Sequence, residues 1–398
     1  MSEDVWVLGA SMTKIGRYPD KDVIDLASEA SMNALADGDV TIQDMGVLAA
    51  GCMFAPGGIG QQIQKQIGQT GIPVYNVLNA CATGATAVRT VFLSIKAGEA
   101  DMGIAIGAEQ MGKMGLLGVT ARSEKNVYEP SGRYGGVLPT DGYLGSGTMP
   151  AVFGQAGMEY AYENDGVGFE QFAKVAEKNH AHSALNPLAQ YQKVFSLEEI
   201  MEARVISYPN TLPMCCPTGD GAAAIVLVSD SKLKTLSLEQ QRRAVKISAS
   251  VLTSDPWTEG AQMQPDVNTL TRNAAAQAYE TAGIGPSDLN LTELHDCFAT
   301  AELIHYDNLG LCERGGAGDF IDRRGPWRDG ESPVNVSGGL LSKGHPIGMT
   351  GAAGVYEITT QLRGEAGDRQ IEGATVGMAH VIGLGSACGI HILEKAAA

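Results

Sequence analysis

The chain has 398 residues, 44% of them hydrophobic, with 51 glycines and only 18% charged residues, enough apolar sequence for two core-forming units of ordinary size. A net charge of −17 argues against nucleic acid or an anionic membrane as partner, because phosphate surfaces select basic patches; it leaves room for a small anionic ligand held by a few local cations. No apolar run reaches membrane-spanning length, so no membrane insertion is expected, and seven irregularly spaced cysteines point to free thiols in a reducing cytoplasm.

In chain order, MSEDVWVLGASMTKIG reads as a strand and turn rather than a signal segment. A strand, VYNVLN, then runs almost directly into Cys81, and a helix follows with apolar residues at Val88, Val91, Phe92 and Ile95. Gly98 is placed to end that helix, and the strand MGIAIG (102–107) comes next. Residues 121–150 are rich in Gly, Tyr and Pro, and a helix is expected around 169–182. This insertion reads as a loop-rich cap of the kind that covers a site. Strands and helices alternate throughout, as in an α/β fold.

The two ends of the chain resemble each other. CATGATAV (81–88) lines up with GMTGAAGV (348–355), and GDGAAAIVLV (219–228) with GLGSACGIHI (383–392). The segment 27–45 has a looser echo in 274–289. Three such matches predict two related units. The division expected is one half over residues 1–120 and 216–240, a cap over 121–215, and a second half over 245–398, with SLEQQRR as a polar linker between the halves.

A thiol at a strand–helix junction serves either as core filler or as a nucleophile. If the halves are related by a pseudo-twofold axis, the helix at Cys81 has a counterpart starting near Gly348, just after SKGHPIG. Cys81 and His345 would then meet where the halves meet. A helix N-terminus favours a thiolate and an imidazole can take its proton, so the pair reads as nucleophile and base, against the plainer reading of a buried Cys and a loop His. In TELHDCFATAEL (292–303), His295 and Cys297 stand at a strand end. With no CxxC or HxxxH nearby no metal is expected, and a proton-transfer thiol explains the pair better. Asp296, pointing the other way, is expected to bond backbone. GLGSACG (383–389) is not a dinucleotide loop, because a strand and not a helix follows it. His380 lies at the strand end before that turn, and Cys388 reads as core filler. Cys215 and Cys216 read as structural, Cys52 and Cys312 show no partner, and His180, His182, His305 and His391 read as surface or strand residues.

Taken together, PVYNVLNACATGATA, CCPTGDGAAA, ELHDCF, VSGGLLSKGHPIGMTG and HVIGLGSA resemble the thiolase superfamily over nearly the whole chain, and most closely its sterol-carrier-protein type. HDCF combined with SKGHPIG is the specific part. The resemblance implies the thiolase fold: two pseudo-symmetric βαβαβαββ halves in a layered α/β sandwich with an inserted cap. It also implies an acyltransferase that cleaves a 3-oxoacyl-CoA with free CoA, giving acetyl-CoA or propanoyl-CoA and a shortened acyl-CoA. CoA is then the co-substrate and no tightly bound cofactor is needed. Carried over by motif, Cys81 is the acylated cysteine, His345 activates it and helps bind the thioester oxygen, Cys297 is the acid/base thiol, and His295 shapes an oxyanion site. His380 and Gly383 stand where many relatives have a C-x-G cysteine, which leaves the second thiol to Cys297; His380 is carried over as a catalytic residue, and Gly383, with Cys81 and His345, as part of the oxyanion or substrate site. A homodimer or tetramer, and a small OB-fold partner, are also implied. Two other readings are a steroid side-chain aldolase of the same fold, against which Cys81 counts, and a non-catalytic acyl-CoA or lipid carrier, against which the intact thiols count.

Overall fold

The computed structural model describes residues 3–54, 57–111, 148–256, 267–384 and 387–396. Its strands are β1 (Val5–Met12), β2 (Val47–Gly51), β3 (Val74–Val77), β4 (Met102–Gln110), β5 (Val205–Ser207), β6 (Asn210–Thr211), β7 (Asp220–Ser229), β8 (Val245–Thr253), β9 (Leu291–Glu293), β10 (Val376–Gly383) and β11 (Ala387–Lys395). The main helices are α1 (Val23–Asp37), α2 (Ile59–Ile67), α3 (Thr83–Lys96), α4 (Thr148–Glu163), α5 (Phe169–Ser183), α6 (Val267–Ala282), α7 (Ala299–Asn308) and α8 (Thr350–Arg363).

Nine strands join in the order β3-β2-β4-β7-β1-β8-β11-β10-β9, while β5 and β6 form a separate pair. The order repeats about the centre. Outward from β1 stand the first, fifth, fourth, second and third strands of the N-terminal set. Outward from β8 stand the first, fifth, fourth and second of the C-terminal set. Val334 bridges Thr292 in parallel where a third would lie. The two sets join edge to edge where β1 pairs with β8, Trp6 opposite Lys246 and Val7 opposite Val245.

The repeat seen in the sequence is carried by the central helices. α3 and α8 are both 14 residues long, and each begins two residues into its matching motif, CATG or GMTG. A Cβ on Gly84 would lie 2.8 Å from Ala352 N, and one on Gly351 would lie 2.3 Å from Ala85 N. These two glycines are repeat equivalents, and each lets the other's backbone approach. Val88, Val91, Phe92 and Ile95 of α3 pack with Val355, Ile358 and Leu362 of α8 and with strands of both sets. The opposite face of the N-terminal strands packs on Leu26, Ala30, Ile59 and Ile63 of α1 and α2. β4 shows the alternation that builds these layers: Ala105 faces the central helices, and Ile104 and Ile106 face the outer ones.

The expected helix near 169–182 is α5. The loop-rich stretch 121–147 lies outside the described residues. α4 and α5 lean on α7, with Phe153 stacked on Phe298 at 5.3 Å and the Tyr160 hydroxyl donating to Asp307 at 3.1 Å. The polar linker SLEQQRR is in fact a short helix, Leu238–Arg243, capped by Ser237, and β8 starts two residues later. Its polar residues fit a helix lying on the surface, where cap chemistry and not an apolar stripe sets the ends.

Candidate active site

β3 ends at Val77, and the chain reaches α3 through a sharp elbow. Ala80 takes φ +47°, a conformation that side chains other than glycine rarely adopt. The elbow is pinned from both sides: Thr83 Oγ1 accepts from Asn79 N at 2.9 Å and donates to Ala80 O at 2.6 Å, and Asn79 Nδ2 donates to Thr86 Oγ1 at 2.9 Å. Gly383 closes against it, because a Cβ there would sit 2.3 Å from Asn79 O. The turn presents Cys81 just before the first turn of α3.

Cys81 keeps part of its surface accessible, but its thiol stands in a cleft where burial pushes its pKa up to about 12. The backbone N–H groups of Cys81 and Leu384 act the other way, and the Glu109 carboxylate adds to the rise. The sequence expectation that the helix terminus favours a thiolate is therefore incomplete. In a low-dielectric cleft, desolvation outweighs what two N–H donors and a helix end return. The N–H that reaches the sulfur belongs to Leu384, the residue after Gly383.

His345 arrives from the loop before α8. Its Nδ1 lies 2.7 Å from Thr350 Oγ1, whose own proton goes to Pro346 O at 3.1 Å. The hydroxyl must accept from Nδ1–H, so the lone pair of His345 is on Nε2. Burial lowers the pKa of this ring to about 4, and the imidazole is neutral near pH 7. His295 is buried with a strongly lowered pKa, first through burial and then through neighbouring His345, His380 and His305. Its ring meets that of His345 edge-on, centroids 5.3 Å apart. One ligating atom from each of Cys81, His295 and His345 lies within 4.8 Å of the other two.

His380 does not join this trio. Its Nδ1 accepts from the backbone N–H of His295 at 3.4 Å, and its ring packs on His305 at 4.8 Å, so it positions His295 from behind. The expected strand stops at Glu293, four residues before Cys297, which is buried in the bend that enters α7, with Cys216 and Cys81 close enough to raise its pKa further after burial. Cys388 is fully buried in β11 within the C-terminal core, where burial raises its pKa.

Cys216 lies against the Cys297 segment, its N–H donating to Cys297 O at 3.0 Å. Two sequence expectations change. Cys52 has a partner, donating to Glu109 Oε1 at 3.1 Å, and the same carboxylate accepts from Gly348 N at 3.1 Å. His180, His182 and His305 are buried helical residues and not surface or strand residues, whereas His391 is a strand residue as expected, and buried. Helices α5 and α7 pack on each other and carry buried polar faces, where Lys178 and Asn179 pair with Glu302 and His182 Nδ1 lies 3.0 Å from Asn335 O. Asp296 bonds backbone as expected: Oδ1 accepts from Leu340 N at 2.7 Å and Oδ2 from Leu341 N at 3.2 Å, holding the π-helical turn Gly339–Lys343 before His345.

The sequence reading passed over the network behind Asp296. Asn179 Nδ2 donates to both Asp296 Oδ2 (2.8 Å) and Glu302 Oε2 (2.6 Å), and the fully buried Lys178 pairs with Glu302 at 2.7 Å. Lys343, within SKGHP, is buried against Glu293 at 3.2 Å. The available signal was the run of polar residues Lys178-Asn179-His180 on the buried side of an otherwise amphipathic helix.

A cavity of about 690 Å³ opens beside Cys216 and is walled by Tyr191, Phe195, Leu212, Pro213 and Leu341. Its outer part carries Lys193, Glu199 and Glu202.

Comparison with known proteins fits this architecture. Residues 5–208 match the thiolase N-terminal domain, and residues 256–395 match the thiolase C-terminal domain-like family. The chain belongs to the thiolase family. It is 39% identical over 395 residues to human sterol carrier protein 2, covering 96% of this chain and 70% of that protein. It is 33% identical over 401 residues to the acetyl-CoA acetyltransferase of Methanothermobacter thermautotrophicus, covering 98% of this chain and all of that one. Among solved structures, the Ltp2-ChsH2(DUF35) aldolase superposes with TM-score 0.79 at 22% identity, covering 98% of each chain. Human mitochondrial 3-ketoacyl-CoA thiolase in complex with CoA superposes with TM-score 0.73 at 17% identity, covering 99% of this chain and 98% of that one. At those identities the structures establish the thiolase fold. Family membership places the chain among acyltransferases of acyl-CoA chemistry. No helix among the described residues is long and apolar enough to cross a membrane.

Proposed function

We propose that this thiolase-family chain cleaves a 3-oxoacyl-CoA with free CoA through an acyl-Cys81 intermediate. The observation that carries the reading is the meeting of the Cys81 thiol with the imidazoles of His345 and His295 at a strained elbow. His345 Nε2 takes the thiol proton as sulfur attacks the 3-keto carbon. The bond between C2 and C3 breaks, and the acetyl-CoA or propanoyl-CoA enolate leaves. Cys297 protonates its carbon, with His295 beside the enolate oxygen. CoA thiol then loses its proton to Cys297 and displaces the acyl group from Cys81. The Cys81 thiolate released in that step takes its proton back from His345, so the cycle closes with CoA as the sole co-substrate and no resident cofactor. In excess acetyl-CoA the same steps run as a condensation.

The cavity beside Cys216 suits the acyl chain rather than the CoA phosphates, because its outer part carries two carboxylates. Its volume is that of sites for drug-sized ligands, larger than an acetyl group requires. A second copy of the chain along the edge strand β3, and a small partner protein of the kind implied by the name Ltp2-ChsH2(DUF35), belong to the same proposal.

The test is mass spectrometry after mixing with an acyl-CoA, together with CoA-dependent cleavage of a panel of 3-oxoacyl-CoA substrates. An adduct on the Cys81 peptide that disappears in Cys81→Ala is expected. An adduct that persists unchanged in that variant, or turnover that does not need CoA, would overturn the reading. The aldolase alternative predicts carbon–carbon cleavage without CoA and without an adduct.

A further inference from the structure

The trio at the elbow has the composition of a metal site as well as a catalytic one. Cys81, His295 and His345 offer one sulfur and two nitrogens, all within 4.8 Å of one another. In a tetrahedral zinc site with Zn–S of about 2.3 Å and Zn–N of about 2.0–2.1 Å, the ligating atoms stand roughly 3.3–3.6 Å apart. Metal binding therefore requires the three atoms to draw together by up to about 1.5 Å.

Two further observations point the same way. His345 directs Nδ1–H at Thr350 Oγ1, 2.7 Å away, which fixes Nε2 as the lone-pair nitrogen. A ligating imidazole in zinc proteins is held in this way by a hydrogen bond from its other nitrogen. His295 is buried, and among the described residues its Nδ1 has no hydrogen-bond partner. That leaves an unsatisfied polar atom on one of the three cluster residues.

We propose that Cys81, His295 and His345 bind one Zn2+ per chain, leaving a fourth position to solvent, and that this ion blocks the nucleophile reversibly. On binding, the Cys81 S–H bond is lost, a proton goes to solvent, and sulfur coordinates the metal as thiolate. No oxidation change occurs. A borderline-soft ion is selected because the donor set is one sulfur and two imidazole nitrogens with no carboxylate, which disfavours Mg2+ and Ca2+. Local spacing motifs do not reveal the site, because its three ligands come from the β3–α3 elbow, the strand end after β9 and the loop before α8.

Binding depends on geometry alone, whereas the inhibitory consequence rests on the acylation chemistry proposed above. The two are separated by measuring binding without CoA, whose own thiol takes up zinc. Zn2+ is titrated into the whole protein against a chromophoric chelator. One equivalent is expected, weakened at least about tenfold in Cys81→Ala and in His345→Gln, and unchanged in Cys388→Ala. Co2+ added to the unmodified protein gives a readout that needs no variant: a thiolate-to-cobalt charge-transfer band with tetrahedral visible bands. Unchanged zinc affinity in both ligand variants, or a cobalt spectrum of octahedral type without a thiolate band, would refute the site. Zinc bound with these signatures but without loss of cleavage would remove the inhibitory role and retain the site.

Discussion

Replacing Lys178 by Met tests whether the buried ion network holds the site together. Lys178 and Glu302 are both fully buried, and their charged atoms are 2.7 Å apart. At an effective dielectric of about 20, such a pair gains roughly 6 kcal/mol of Coulomb energy, and desolvating each ion costs several kcal/mol, so the intact pair contributes little net stability. Removing one partner is different. Glu302 keeps the Tyr306 hydroxyl and the amides of Asn179 and Asn335, but loses its cation while Asp296 shares the Asn179 amide. The expected cost is about 3–5 kcal/mol, a large part of the 5–15 kcal/mol that a folded domain has in all. Asp296 gives the pH signature. Its pKa is raised, first by burial and then by the Glu302 charge. A carboxyl raised in the folded state favours folding fully below its unfolded pKa of about 3.9 and loses that contribution as pH rises through the folded value. Lys178→Met removes the cation that opposes the rise, so the deficit should be smallest in acid, where the carboxyls are protonated, and larger at higher pH. Urea unfolding between pH 4 and 8 measures it, and Lys178→Met combined with Glu302→Gln should recover much of the loss at neutral pH. A deficit under about 1 kcal/mol at pH 7, or one that does not change with pH, would refute this account of the network.

Four other outcomes are expected. Cys297→Ala should still form acyl-enzyme from an activated thioester but lose cleavage and proton exchange at the acetyl-CoA methyl, whereas Cys388→Ala, buried in β11, should show only a modest drop in stability; the reverse pattern would exchange their roles. Thr350→Val removes the acceptor that fixes the His345 tautomer and should slow acylation by roughly tenfold or more, with Thr350→Ser restoring it; equal rates in all three would separate the hydroxyl from the mechanism. With His345 held at a pKa of about 4, acylation should stay level from about pH 7 down to about pH 5, so a rate halved near pH 6.5, as for an unperturbed imidazole, would contradict the burial argument. β3 is an edge strand with Tyr75 41% and Leu78 60% exposed; light scattering should give a dimer that Leu78→Glu weakens, and a wild-type monomer at micromolar concentration would exclude that interface.

The sequence carried the parts of this fold that repeat. GMTGAAGV against CATGATAV predicts paired helices, and α3 and α8 are paired through Gly84 and Gly351. Asp296 was also legible, because alternation in an extended segment turns it away from its neighbours, and it binds the N–H groups of Leu340 and Leu341. Burial was not. Nothing in the spacing of His180, His182 or His305 separates a solvated helix face from a buried one, because the partners that satisfy a buried polar group come from distant segments. Lys178 pairs with Glu302, and His182 Nδ1 lies 3.0 Å from Asn335 O. The nearness of Cys216 to Cys297 was illegible for a related reason: they meet beside a single antiparallel bridge, Cys215 with Phe298, too short to leave an alternating pattern.

The charge state of the nucleophile connects these features. A standing thiolate at Cys81 would be stabilised by the helix end, yet burial and Glu109 hold the thiol neutral, and burial holds His345 neutral as well. A neutral pair costs less to bury than a thiolate–imidazolium pair awaiting substrate. The proton then moves only when sulfur attacks and negative charge appears on the substrate oxygen. At that moment the preorganised donors gain most, because they require no reorganisation in a site with little water. This accounts for the positive φ at Ala80, the close approach of Gly383 and the fixed tautomer of His345. Each holds a dipole or a lone pair in place for a charge that the resting protein does not carry. The same neutrality leaves both imidazole lone pairs open, which is why one cluster has the donor set for proton transfer and for a soft cation.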